Sequence, residues 1–194
     1  KMAKIFSVIV TYNRRDKLNK SIQSLLDSDV LPDKIIIINN NSNDGTHELL
    51  DELSASNDTL HIVHLNKNIG GAGGFAVGIK VAYDLGADLM WISDDDCYVH
   101  NDSLSNLLNA KNNLDQNNIK FSYLCSKVDW IDGNICEMNS PSPSWDWMRY
   151  LSLDSNCVKI DSCSFVSCII ARDAVKACGL PVVEFFIWYD DCEY

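Results

Sequence analysis

Lys34-Ile35-Ile36-Ile37-Ile38-Asn39-Asn40-Asn41-Ser42-Asn43-Asp44-Gly45-Thr46 passes abruptly from an unbroken isoleucine run to a stretch of Asn, Ser, Asp and Gly. A continuous apolar run, rather than an alternating one, predicts a strand buried on both faces, the habit of parallel sheets covered by helices. The polar stretch predicts a loop at the strand's carboxyl end, and Leu49, Leu50 and Leu53 beyond it mark a helix. The same unit recurs on either side. Upstream, Ile5 to Thr11 is a β-branched run, and Leu18, Ile22, Leu25 and Leu26 follow on one helical face with Asn13 placed as the N-cap. Downstream, Leu60 to Leu65 is a third strand, Asn68 to Gly74 a Gly-rich stretch leading into a helix with Phe75, Ile79 and Ala82 in line, and Asp88 to Ser93 a fourth strand running into Asp94-Asp95-Asp96. Strands alternating with helices predict right-handed crossovers and a mostly parallel α/β sheet.

Past residue 100 the alternation gives way. A helix around Leu104 to Leu108, a strand at Phe121 to Ser126, a hairpin at Asp132-Gly133 and a loop over Asn139 to Leu153 are expected. One or two strands within Val158 to Ala171 and a short helix from Arg172 to Cys178, stopped by Gly179 and Pro181, complete the reading. No repeat, low-complexity tract or linker divides the chain, so residues 1–194 read as one domain, with halves at 1–100 and 101–194.

Composition narrows the function. At 194 residues, 46% hydrophobic and 22% charged, the chain is globular rather than disordered. Sixteen basic against 27 acidic residues leave a net charge of −11, which repels nucleic-acid backbones. An anionic ligand must therefore be held locally, by backbone N–H groups, a helix N-terminus or a metal ion. No apolar run approaches the roughly 20 residues of a membrane span, and no signal-peptide pattern opens the chain, so it reads as soluble and cytosolic. Its 8 cysteines are irregularly spaced, with no C-x-x-C, and read as reduced thiols rather than a zinc site.

In an open α/β sheet, ligands bind at the carboxyl ends of the strands, here Thr11-Tyr12-Asn13, the Asn39 to Gly45 loop, the Asn66 to Gly74 loop and Asp94 to Asp96. Three adjacent carboxylates repel one another and call for a divalent cation; on an extended strand Asp94 and Asp96 share a face while Asp95 points elsewhere. A solvated acidic turn is the plain alternative. The Gly-rich run offers backbone N–H groups to a phosphate or sugar, or is simply a flexible turn. The Asn39 amide suits the donor–acceptor edge of uracil or thymine, or else forms a turn. Asp190, Asp191 and Glu193 lie behind Phe185, Phe186, Trp188 and Tyr189, where apolar rings raise a carboxylate toward general-base range, unless the tail is a plain acidic one. Trp145, Trp147 and Tyr150 are either a saccharide platform or the loop's own small core. His61 and His64 fall on opposite strand faces and read as structural, and His47 and His100 carry no assignment.

Taken in order, Val8 to Arg14, Asn40 to Thr46, Asn68 to Phe75, Asp94-Asp95-Asp96 and Trp188-Tyr189-Asp190-Asp191-Cys192-Glu193-Tyr194 resemble the motif series of family 2 glycosyltransferases of the GT-A fold. The Gly-Gly-Ala-Gly-Gly-Phe segment and terminal Asp-Asp-x-Glu look most like the galactofuranosyl- and rhamnosyltransferase branch. The resemblance implies inverting transfer of a sugar from a UDP- or dTDP-linked donor to a hydroxyl of a glycan or lipid-linked glycan in cell-surface polysaccharide synthesis, with Mg²⁺ or Mn²⁺ on the diphosphate. It implies donor contacts from Thr11, Tyr12, Asn13, Asn39, Asn41, Asn68, Gly71, Ala72, Gly73, Asp94 and Asp95, and metal ligation by Asp94 and Asp96. Asp191 matches the catalytic base, with Asp190 the second choice, and Trp145, Trp147 and Trp188 stand on the acceptor side. Most relatives carry Asp where Asn39 stands. Relatives also continue past Asp-Asp-x-Glu, so the chain reads as a fragment, cytoplasmic, with contact to the inner face of the membrane left to parts outside it. A catalytically inactive nucleotide-sugar-binding module is the first alternative, and a metal-dependent nucleotidyltransferase the second, although the latter expects a basic Gly-rich segment after strand one.

Overall fold

The computed structural model describes residues 3–149, 157–187 and 191. In chain order the elements are β1 (Ile5–Thr11), α1 (Arg15–Leu26), β2 (Lys34–Asn39), α2 (Thr46–Ser56), β3 (Leu60–His64), α3 (Gly70–Asp84), β4 (Leu89–Asp94) and α4 (Ser103–Gln116). They are followed by β5 (Tyr123–Cys125), β6 (Ser142–Pro143), β7 (Ile160–Ser162), β8 (Cys168–Ala171) and α5 (Arg172–Cys178). Six strands form one sheet in the order β3-β2-β1-β4-β8-β5. The first four are mutually parallel, whereas β8 runs antiparallel to both β4 and β5. A separate antiparallel pair joins β6 to β7. This is the mostly parallel α/β architecture, with a small antiparallel part, that the sequence predicts.

The isoleucine run explains the layering. Alternate side chains of a strand leave opposite faces, so Ile35 and Ile37 join Leu18, Ile22 and Leu25 of α1, Leu50 of α2 and Leu104 of α4 on one side. Ile36 and Ile38 pack with Phe75 and Ile79 of α3 and Val175 of α5 on the other. All four isoleucines are fully buried, each contributing about 1.5–3 kcal/mol of transfer free energy. The sheet is thus sealed on both faces, with Ser7 a buried hydroxyl at its centre.

Three local expectations are corrected. The Gly-rich stretch read as leading into a helix, with an anion cradle or a flexible turn left open, is itself the first turn of α3, which begins at Gly70. Its glycines let the helix lie against the sheet: a Cβ on Gly74 would sit 2.4 Å from a Val10 methyl, and one on Gly78 would sit 2.4 Å from a Val8 methyl. Asn13 does not cap α1; it adopts a left-handed conformation (φ 54°), and Asp44 Oδ2 accepts the Arg15 N–H at 3.0 Å. The expected strand at Phe121 to Ser126 contracts to β5, because only its centre pairs with β8.

Candidate active site at the carboxyl edge of the sheet

Register aligns the strand ends. Thr11 of β1 stands opposite Asn39 of β2, Asn39 opposite His64 of β3, and Val10 opposite Asp94 of β4. A net of loop hydrogen bonds holds this edge. Asn13 N–H donates to Ser42 Oγ at 2.9 Å and Asn43 N–H to Asn13 Oδ1 at 2.8 Å, tying the loop after β1 to the loop after β2. Asp44 Oδ1 accepts from the Thr46 hydroxyl at 2.6 Å and caps α2. Although burial opposes it, these hydrogen bonds from Thr46 and Arg15 hold the Asp44 carboxyl below the usual range. The buried Asn40 amide spans to α3, donating to Gly70 O at 2.8 Å and accepting from Ile69 N–H at 2.9 Å.

The three aspartates divide their tasks. Asp95 is buried, accepting from the Thr11 hydroxyl at 2.7 Å and from Arg14 at 3.3 Å. Burial pushes its pKa up, against the Thr11 hydrogen bond and the Arg14 charge. Asp96 turns outward, and one of its oxygens meets both Arg14 and Lys17 at 2.9 Å. Asp94 ends β4. Cys97, whose N–H donates to Asp94 O, has its thiol pushed up to about 12 by burial and then by the Asp94 and Asp96 charges. A hard divalent cation fits this all-oxygen set, provided that Arg14 and Lys17 release the Asp96 oxygen. An open depression of about 400 Å³ lined by Asn13, Arg14, Arg15, Asp16, Lys17 and Asp44 adjoins the cluster.

The remaining sequence candidates are less alike in placement. Thr11 is buried behind Asp95, while Tyr12 is 45% exposed. Asn39 is buried, with Oδ1 accepting from Ser42 N–H at 3.0 Å and Nδ2 against His64 Nδ1 at 3.0 Å, whereas its neighbour Asn41 is exposed with φ 63°. Asn68 accepts the Gly70 N–H at 2.8 Å. Gly71, Ala72 and Gly73 lie in the first turn of α3, where the Ala72 N–H donates to Phe186 O at 3.1 Å. Trp145 is 93% and Trp147 40% exposed, on the segment around β6. Asp190 and Trp188, like Tyr150, Tyr189, Cys192, Glu193 and Tyr194, lie outside the described residues.

Asp191 is linked to the rest of the chain through the thiols. Ile92 of β4 pairs with Cys168 of β8, and the Cys163 and Cys168 sulfurs are 3.6 Å apart. Contact with Cys125 lowers the Cys163 pKa, but contact with Cys168, burial and the nearby Asp191 charge raise it. Asp191 is thus near enough to Cys163 for its charge to act on that thiol. Sequence reasoning gave no individual role to Arg14, Lys17 or Asn40 and read His64 as structural. Arg14-Arg15-x-Lys17 directly after a strand was the available signal, a basic cluster in an acidic chain.

The family model of glycosyl transferase family 2 matches residues 7–175. Galactofuranosyltransferase GlfT1 of Mycolicibacterium smegmatis is 26% identical over 205 residues, covering 97% of this chain and 63% of that protein. Among solved structures, S. aureus TarS in complex with UDP superposes with a TM-score of 0.71 at 16% identity, over 97% of this chain and 53% of that one. GalNAc-T7 with UDP, GalNAc and Mn²⁺ gives 0.71 at 17% identity, over 96% and 38%. The structural likeness is one of fold, and the chain spans less than two thirds of the length of each of these proteins.

Proposed function

The chain belongs to glycosyl transferase family 2, and on that premise we propose that it carries the donor site of an inverting, metal-dependent hexosyltransferase acting in cell-surface polysaccharide synthesis. The donor is a UDP- or dTDP-linked sugar, of the galactofuranose or rhamnose kind, and the acceptor a hydroxyl of a glycan or lipid-linked glycan. The observation that carries the reading is the convergence of Thr11, Asn39, Asp94, Asp95 and Asp96 on one sheet edge. The likeness to a galactofuranosyltransferase over 97% of the chain supports the sugar class.

In this reading Tyr12 stacks on the base, and Asn39 reads its edge with the one amide N–H and one carbonyl lone pair that Ser42 and His64 leave it. Asn13, Asn41 and Asn68 contact the nucleoside and sugar. Gly71, Ala72 and Gly73 face the donor once the Phe186 carbonyl withdraws from the amino end of α3. Asp95, locked by Thr11 and Arg14, fixes the loop, while Asp94 and Asp96 hold Mg²⁺ or Mn²⁺. When bound, that cation supplies Lewis-acid neutralisation of the departing diphosphate.

The chemistry then falls to Asp191, or in second place Asp190. Its carboxylate takes the acceptor proton as the hydroxyl oxygen bonds to the anomeric carbon, and the bond to the diphosphate oxygen breaks on the opposite face. Trp145, Trp147 and Trp188 serve the acceptor. Transfer assayed with UDP-galactofuranose or dTDP-rhamnose and a glycan acceptor, in the chain extended to the length of its relatives, tests the assignment. Activity abolished in Asp191→Asn with donor affinity retained is expected; unchanged turnover in that variant would overturn Asp191 as base.

A further inference from the structure

We propose that His47, Asp51 and His64 form a binding site for a divalent transition metal of the zinc class, separate from the acidic strand end. His47 and Asp51 are one turn apart on α2, and His64 closes β3, against which α2 packs. One ligand atom from each lies within 4.8 Å of the others. The two imidazole Nε2 atoms flank the carboxylate, His64 at 3.1 Å from Oδ1 and His47 at 3.4 Å from Oδ2. The rings stack with centroids 3.7 Å apart and planes 19° from parallel, which sets both imidazole edges beside the carboxylate; their in-plane lone pairs run side by side, so ligation of one ion turns one ring about its Cβ–Cγ bond. All three side chains are partly open to solvent, at 51%, 60% and 24%, which gives an ion an entry path and water to complete its coordination.

Two imidazoles and a carboxylate suit Zn²⁺, Co²⁺, Ni²⁺ or Cu²⁺, whereas Mg²⁺ and Mn²⁺ prefer oxygen alone. The ring of His64 is oriented from behind by the Asn39 side chain at Nδ1, as ligating histidines usually are. Ligation through Nε2 leaves the proton on Nδ1, which then donates to Asn39. The amide accordingly turns over to offer Oδ1, giving up its bond from Ser42 N–H.

The test is a Zn²⁺ titration of the ¹⁵N-labelled chain, read at the imidazole nitrogens by NMR, with no nucleotide present. Nε2 of His47 and His64 should shift saturably at one equivalent while His61 and His100 stay fixed, an internal control that thiol-bound zinc does not disturb. His47→Ala, a half-exposed position that leaves folding intact, should weaken Zn²⁺ affinity at His64 by roughly tenfold or more. The response should persist in the Asp94→Asn/Asp96→Asn variant. No shift at His47 and His64, equal shifts at all four histidines, undiminished affinity in His47→Ala, or loss of the response in the strand-end variant would each overturn the site.

Discussion

Asp96 is contested. Arg14 and Lys17 occupy the same oxygen that a cation requires, so a metal must displace two partly exposed side chains whose pairing is worth little. It follows that Lys17→Ala should tighten Mn²⁺ binding measured without nucleotide, and a weaker affinity would show Lys17 helping rather than competing. Asp94→Ala and Asp96→Ala should each bring donor affinity in Mn²⁺ down to the metal-free value, a loss of roughly tenfold or more by calorimetry. Unchanged affinity would remove them as ligands. Asp95 behaves differently because it is buried. With its pKa raised in the fold, the native state holds the proton more tightly than the unfolded chain, so the carboxylate's contribution to stability falls as pH rises from about 4, the unfolded value. Relative to Asp95→Asn, the native chain should therefore lose melting temperature as pH climbs from about 4 toward neutrality, and a gap that is flat in pH would contradict the burial argument.

At the scale of elements, α3 shows where sequence pattern and packing part. Its glycines give poor helix propensity, costing about 1 kcal/mol each relative to Ala, and for Gly74 and Gly78 the reason lies in the Val10 and Val8 side chains of β1 that they admit. Gly74→Ala should thus lower the melting temperature despite its propensity gain, since overpacking costs about 1–3 kcal/mol, and Val10→Ala in the same chain should restore most of the loss. If Gly74→Ala alone raises the melting temperature, close packing is not the cause. The strands were legible because the Ile35–Ile38 run and the polar residues after it state both burial and boundary locally. The start of α3 was not, because a neighbouring strand decides it. Likewise the Asp94-Asp95-Asp96 cluster, and the turning of Asp95 away from Asp96, were legible from adjacency and alternation, but that Asp95 is the buried one depends on Thr11 and Arg14 from another segment. His47 escaped notice because only the packing of α2 on β3 brings it to His64.

For the whole molecule, a net charge of −11 and an anionic donor are compatible only if local devices outweigh the global field. The amino end of α1, where Arg14 and Lys17 meet Asp96, supplies both signs within one edge. Among the described residues no helix is long and apolar enough to cross a membrane. The central claim, that this edge is a metal-assisted nucleotide-sugar site, is tested most directly by thermal shift of the chain with UDP, dTDP, GDP and CDP, each with and without Mn²⁺. Stabilisation by UDP or dTDP only when Mn²⁺ is present is expected, about 2.7 kcal/mol at one hundred times the dissociation constant, or roughly 5–10 °C for a chain of this size. Equal shifts with and without the metal, or no shift with any nucleotide, would contradict it.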